Sequence, residues 1–417
     1  MTVRSHSRRT NLLAVFSVIG LFALSTGCEE ETRPPPVDVP RGPCGHALYV
    51  VASDYQSTSV SIVSFDGEVL SPAFLTSGSA DPGLSVALSG DVVAPTQPHF
   101  DELLLIDRTP TGVLTFADPA TGDVSLQANI STGFASNPQD AVRLSNGMLA
   151  VARYGENPNP GAEPFDTGSD ILIIDADQTP SGRIDLAPLL DDPELLPSPA
   201  RVVRAGLNGA DLVVLLAAYS KDFTLVGDGR VAFFDEGSLA LSSVVTLKGG
   251  FGCGAISVSP NGERIAITCS GKFGGTSTPD PMGSALYILD RANTEWKLTT
   301  RHGALDLGGE PLGASVALID ENTALISSLG RFLEPGQLKQ EVPDRLLRVQ
   351  LASGEFEVLL ETETTPFSYG DMRCCGDSCF LADADRNVVH RLVDGAPTET
   401  ISLDDGTGLP PRFLGVY

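Results

Sequence analysis

Seven cysteines are the most reactive side chains of this 417-residue chain, and their spacing sorts them into two kinds. Cys28 stands alone near the N-terminus, while Cys44, Cys253, Cys269, Cys374, Cys375 and Cys379 follow as an even set. Six thiols are the material of three disulfides wherever the compartment is oxidising, and oxidation outcompetes metal chelation by Cys375 and Cys379. The later histidines, His46, His99, His302 and His390, are scattered. The chain has no G-x-S-x-G elbow, phosphate-cradling loop, H-E-x-x-H helix or C-x-x-C-H haem attachment, so no catalytic residue, metal ligand or cofactor is assigned. Asp383, Asp385, Asn387 and Asp394 have the spacing of a calcium loop, but Val388 stands where that loop needs a bend-forming glycine. Strand alternation and a turn account for these residues better, and for Asp175 and Asp177 as well.

A second recurrence concerns recognition. Short segments that follow apolar runs carry basic or aromatic residues: Tyr55; Arg153-Tyr154; Tyr219 with Lys221; Lys272-Phe273; Arg331-Phe332. The chain has only five lysines, so two at equivalent positions stand out. Aromatic planes beside Arg or Lys suit sugars, anions or peptides. Arg153, Tyr154, Tyr219, Lys221, Lys272, Phe273, Arg331 and Phe332 therefore form the candidate binding rim. The competing reading is that each side chain packs its own loop.

The elements that must position these residues repeat. With 43 Gly and 30 Pro, the chain is rich in turns, and short β-branched runs alternate with Asn, Asp, Gly and Pro. One hairpin recurs: Ala141–Leu144 turns at Ser145-Asn146-Gly147 into Met148–Val151, and Ile256–Val258 turns at Pro260-Asn261-Gly262 into Arg264–Ile267. Further copies centre on Asn208, Asn322 and Gly376, and a third strand follows in runs such as Ile171–Asp175, Val231–Asp235 and Leu286–Asp290. The unit returns about every 55 residues, which predicts an all-β, seven-bladed propeller of four-stranded antiparallel blades rather than two packed sandwiches. In the second unit the third strand is either Leu103–Ile106 or Val113–Phe116. The first unit has no innermost strand before His46, and the chain ends in an unpaired strand at Pro411–Tyr417, so the C-terminus is expected to close the ring.

Register predicts disulfides. A three-residue loop at Pro260-Asn261-Gly262 puts Cys253 opposite Cys269. A three-residue loop at Gly376-Asp377-Ser378 pairs Cys375 with Cys379 and leaves Cys374 to staple Cys44 across the closure. The alternative is Cys44–Cys375 with Cys374–Cys379.

Ser257–Ile267, Asn137–Val151 and Phe116–Gly122 resemble the hairpins and turns of YVTN-type propellers, a family of surface proteins, lactonase-like enzymes and binding scaffolds. The resemblance implies a fold but no one activity. The N-terminus has Arg4, Arg8 and Arg9, an apolar run from Leu12 to Leu24, and Leu24-Ser25-Thr26-Gly27-Cys28. It resembles a bacterial lipoprotein leader, which implies cleavage after residue 27 and acylation of Cys28. Glu29, rather than Asp, then leans towards the outer membrane of a Gram-negative envelope, on its periplasmic or exposed side. Residues 28–43, with Pro34-Pro35-Pro36, Pro40 and Pro43, read as a tether and 44–417 as the propeller. The net charge of −26 becomes −29 after cleavage, which disfavours nucleic acid. The expected role is binding or scaffolding of a protein or glycan partner at the envelope. The alternatives are a lactonase-like hydrolase with channel carboxylates and a purely structural component.

Overall fold

The computed structural model describes residues 37–80, 83–98, 101–131, 133–272, 280–332, 340–363 and 367–417. Seven four-stranded antiparallel sheets form the blades of a propeller. From blade one to blade seven the innermost strands are Pro411–Val416, Val92–Val93, Pro138–Arg143, Pro199–Ala205, Cys253–Val258, Leu312–Leu318 and Tyr369–Cys375. The second strands are Leu48–Ser53, Leu103–Asp107, Leu149–Glu156, Asp211–Leu216, Arg264–Ser270, Thr323–Ser328 and Ser378–Asp383. In blade two Val113–Asp118 is the third strand, which settles the ambiguity in its sequence.

Burial follows distance from the ring's axis. Second and third strands such as Leu48–Ser53, Thr58–Val63 and Gly168–Ile174 are buried along their whole length, because neighbouring blades cover both of their faces. Outer strands such as Ala396–Ile401 face solvent. Between blades four and five, Val213 and Phe233 meet Ile265 and Tyr287, and Trp296 stacks on Phe233 at 5.3 Å. No helix among the described residues is long and apolar enough to cross a membrane.

The C-terminal strand closes the ring as expected. Leu48↔Val416, Tyr49↔Gly415 and Val50↔Leu414 are paired antiparallel. The Tyr49 ring crosses the backbone at Gly415, where a Cβ would be driven into it, and its hydroxyl donates to Leu104 O in blade two at 2.7 Å. Packing also extends before Cys44. Val37 is buried between blades, and its amide donates to Pro119 O at 2.9 Å, so the last residues of the expected tether belong to the propeller.

The cysteines join as Cys44–Cys375, Cys253–Cys269 and Cys374–Cys379. The favoured Cys44–Cys374 staple and the Cys375–Cys379 bridge are therefore corrected. Gly376, at φ 54°, opens a two-residue turn instead of a three-residue loop, which moves the register by one and places Cys374 opposite Cys379. In blade five the expected pair forms by a different route. The hairpin pairs Val258 with Ile265, one residue out from the expected register, and a bulge between Cys253 and Ala255 brings Cys253 back opposite Cys269.

A Gly415→Ala substitution should act on the closure itself. The added methyl displaces Tyr49 or the closing strand, so it is expected to cost about 1–3 kcal/mol, the usual range for overpacking. Urea denaturation should show one cooperative transition moved to lower midpoint. A midpoint equal to wild type would contradict the closeness of this contact.

Candidate functional site

The propeller has two chemically different faces. Turns between first and second strands, and between third and fourth strands, open on one, the turn face. Loops between second and third strands, and the connections between blades, open on the other, the loop face. The candidate rim lies in second-to-third loops, so topology puts its described members on the loop face. Phe273 lies outside the described residues.

The side chains differ from the expected rim. Arg153 is fully buried. It donates to both Asp170 carboxylate oxygens at 2.7–2.8 Å and to Phe165 O at 2.6 Å, and lies 5.4 Å from the Phe134 ring. It holds a loop to blade three and is corrected as a surface contact. Lys221 pairs with Glu156 at 3.2 Å, and Arg331 with Glu310 at 2.7 Å and Glu341 at 3.7 Å. Lys272 is exposed. Neighbouring carboxylates thus neutralise most of the expected positive island. Tyr154 and Tyr219 are half-buried against Phe223, with ring centroids 6.4 and 5.6 Å away, and Phe332 meets Phe367 edge-on at 5.7 Å.

What the loop face does present is apolar. Of the twelve large hydrophobic residues exposed among the described residues, six lie in its loops: Tyr55, Phe223, Leu225, Met282, Leu305 and Phe367. Only Leu207 lies in a turn-face hairpin; Val86, in the connection between blades one and two, is held by Gln127 of an outer strand, and the others line outer strands. Tyr55, Phe223 and Phe367 hold φ of 65°, 59° and 56°, a conformation rare for bulky residues and often tied to function.

An aspartate fixes three of these tips. Asp54 accepts from the Gln56 and Ser57 amides at 2.8–2.9 Å, and the Ser57 bond leads in holding its carboxyl below the ordinary value. Asp222 accepts from the Ser220 and Thr224 hydroxyls, both at 2.7 Å, and these hold it down to about 2. Asp280 accepts from the Met282 amide at 2.9 Å. The residue these loops display is Tyr55 at 57%, Phe223 at 59% and Met282 at 74% exposure. Asp followed by an aromatic and then a hydroxyl residue was the sequence signal for Phe223.

On the turn face, innermost strands from five blades converge on a cavity of about 640 Å³ lined by Val203, Val258, Leu318, Met372 and Val416, among others. The stretch from Ala94 to Pro98 of blade two crosses its floor. Asp140, fully buried, accepts from the amides of Thr96, Ala141 and Val202 at 2.8–3.1 Å. Burial pushes its carboxyl up, with Arg201 opposing. Gln97 exchanges two 2.7 Å bonds with the Arg204 backbone, and Arg373 donates to Pro95 O at 3.1 Å and Asp371 at 3.2 Å. Beneath this stretch the channel narrows to a void of about 10 Å³, too small to hold a substrate. Asp383, first in the calcium-like spacing, is buried and bonded to His390 at 2.8 Å and Arg386 at 3.2 Å.

The Asp222 loop gives a signed pH dependence. Its folded value lies below the ordinary 3.8, so the loop's bonds are complete above that pH and are lost as pH falls through about 2. Hydrogen-exchange protection of the Thr224 and Leu225 amides should persist from neutral pH to pH about 4 and fall towards pH about 2. Asp222→Ala should remove that protection at neutral pH while leaving global unfolding almost unchanged. Loss of protection at about pH 5 in the wild type would contradict the assignment.

No family model and no curated relative matches the sequence. Solved structures match in shape. A putative 6-phosphogluconolactonase from Bacteroides uniformis has a TM-score of 0.51 at 12% identity over 88% of this chain and 98% of that one. The periplasmic gluconolactonase of Pseudomonas aeruginosa has a TM-score of 0.50 at 13% identity, again over 88% and 98%. At such identities the likeness shows the fold, a seven-bladed ring shared with lactonase-like propellers.

Proposed function

We infer that this chain is an extracytoplasmic, lipid-anchored propeller whose loop face binds a protein partner at the cell envelope. The observation that carries the reading is the set of apolar tips raised from several blades and left open to solvent, three of them on loops fixed by an aspartate. Aromatic and Met side chains raised on a fixed loop backbone supply contact area with less ordering cost on binding, which makes them effective anchors. Three disulfides favour an oxidising compartment. The leader ending at Cys28, outside the described residues, supports the anchor. Val37–Pro43 reach the ring on the turn face, opposite the tips.

The rival is a lactonase-like hydrolase, which the two neighbours' names bring to mind. It calls for a pair of inward carboxylates available to a substrate. Asp140 is occupied by three backbone amides and Asp371 by Arg373, so neither supplies that chemistry as placed.

Two experiments test the reading. Cys28→Ser should abolish acyl incorporation and leave an uncleaved or mislocalised precursor. Soluble protein of mature size would refute the anchor. For the surface, a Tyr55→Ser/Phe223→Ser/Met282→Ser variant should lose a protein captured by wild type from detergent-solubilised envelopes, at about 1–2 kcal/mol per central anchor, with little change in unfolding. Equal capture by the variant would overturn the partner surface.

A further inference from the structure

The loops that raise the apolar tips also carry charge, and its placement narrows what can dock on them. Phe223 directly follows Asp222, and Tyr55 directly follows Asp54. In both loops the internal bonds converge on one oxygen of the aspartate. Asp222 Oδ1 accepts from the Ser220 hydroxyl and from the Thr224 hydroxyl and amide at 2.7–3.1 Å. Asp54 Oδ1 accepts from the Gln56 and Ser57 amides and the Ser57 hydroxyl at 2.8–3.2 Å. Oδ2 of each makes no bond among the described residues, and both aspartates are exposed. An unused carboxylate oxygen therefore stands next to an exposed ring in blade one and again in blade four.

Neither carboxylate is met by an ion pair among the described residues. Lys221, next to Asp222, is taken by Glu156 at 3.2 Å. Arg412 lies 4.7 Å over the Tyr55 ring and donates to Ser53 O at 2.8 Å. The Ser57 amide and the Ser220 hydroxyl lead in holding the two carboxyls below the ordinary value, so both are ionised at neutral pH. Leu305 repeats the arrangement, since exposed Asp306 follows it and accepts from the Gly303 amide at 3.1 Å. The Met282 loop departs from it, because Lys272 lies across that loop from Asp280, its carbonyl accepting the Asp280 amide at 3.3 Å. A partner that covers the rings strips water from the neighbouring carboxylates, which is unfavourable unless a cation meets them. A guanidinium or ammonium placed there gains a charge-assisted bond to Oδ2 and a cation–π contact with the ring.

We propose that the loop-face partner presents a basic, amphipathic protein surface, which sets a Lys or Arg on Oδ2 of Asp222 and of Asp54 and apolar side chains on Phe223 and Tyr55. This rests on the loop-face reading and adds the chemistry of the partner. An acidic or uncharged apolar surface would bury the same carboxylates uncompensated.

The probe is an amphipathic helical peptide of roughly 18 Leu and Lys residues, titrated by fluorescence anisotropy onto the chain from residue 29, which retains the whole closed propeller. Its affinity should fall at least about fivefold between about 50 and about 200 mM salt. A Leu/Glu peptide of the same pattern should bind at least about tenfold more weakly. Asp54→Asn/Asp222→Asn keeps both Oδ1 acceptors and removes the charge. It should weaken the Leu/Lys peptide about threefold to tenfold, with the Thr224 amide still protected from hydrogen exchange. Asp177→Asn/Asp394→Asn makes the same change of charge on the turn face and should leave affinity within about twofold. Equal loss in both pairs would show attraction by net charge alone and overturn the proposal. Tyr55→Ser/Phe223→Ser should weaken the Leu/Lys peptide as well. If it does so while the Leu/Glu peptide binds equally to wild type, the partner surface stands and its basic character is overturned. If it changes nothing, the loop-face reading itself fails. Sedimentation of wild type with phosphatidylcholine vesicles that the Tyr55→Ser/Phe223→Ser variant loses would assign the tips to a bilayer and overturn the proposal.

Discussion

The ladder between Pro411–Val416 and Leu48–Ala52 joins the two ends of the propeller, and the other blades depend on it. Each blade buries both faces against its neighbours, so an open ring would leave the first and last blades with one bare apolar face each. It would also leave an unpaired edge on Leu48–Ser53. Closing so long a chain is entropically costly, and its contacts are local and dense. Arg412 donates to Ser53 O at 2.8 Å across 359 residues, Tyr49 crosses Gly415, and Cys44–Cys375 ties the approach to blade one onto blade seven across 331 residues. A backbone ladder, a ring over a glycine and a covalent bond thus act on one seam.

A closed ring of seven blades leaves an axial space that must be filled or used. Here the stretch from Ala94 to Pro98 fills the middle. Its polar groups are met by Asp140, the Arg204 backbone and Arg373, so an irregular segment, buried at Ala94 and Pro95 and exposed at Pro98, has no orphaned amide at Thr96 or carbonyl at Pro95. The cost is that the channel carboxylates are committed to structure. The space left over opens on the turn face, where apolar strand ends and arginines meet.

The loop face obeys a different constraint. Several of its loops are built around one aspartate that collects nearby amides and hydroxyls, which leaves the following large side chain exposed. Asp222 with Phe223 and Asp54 with Tyr55 follow this form. Lys221 and Arg331 there are paired with carboxylates, of which an acidic chain has many. The two faces thus differ in kind. One is apolar and convex at its tips, and the other holds a concave cavity walled by apolar strand ends.

The sequence by itself determined the architecture. Period, turn residues and strand pattern are local signals, and seven local copies leave one arrangement in which every inner edge is paired, so blade number and C-terminal closure were legible in the sequence. Register was only partly so. The Cys253–Cys269 pair followed from counting, although a register shift and a bulge had to cancel, while one residue of turn length at Gly376 exchanged the partners of Cys374 and Cys375. Which charges are free was not legible at all. Arg153 and Arg204 sit beside apolar strand residues in the sequence, yet Arg153 is buried on Asp170, its cross-strand partner in the same blade, while Arg204 stands at a cavity rim, because the packing of the blades decides which strand positions meet solvent. The turn-face cavity exists only once the innermost strands of five blades are brought together by ring closure. Local periodicity encodes repeats, but a site made between repeats is decided by packing alone.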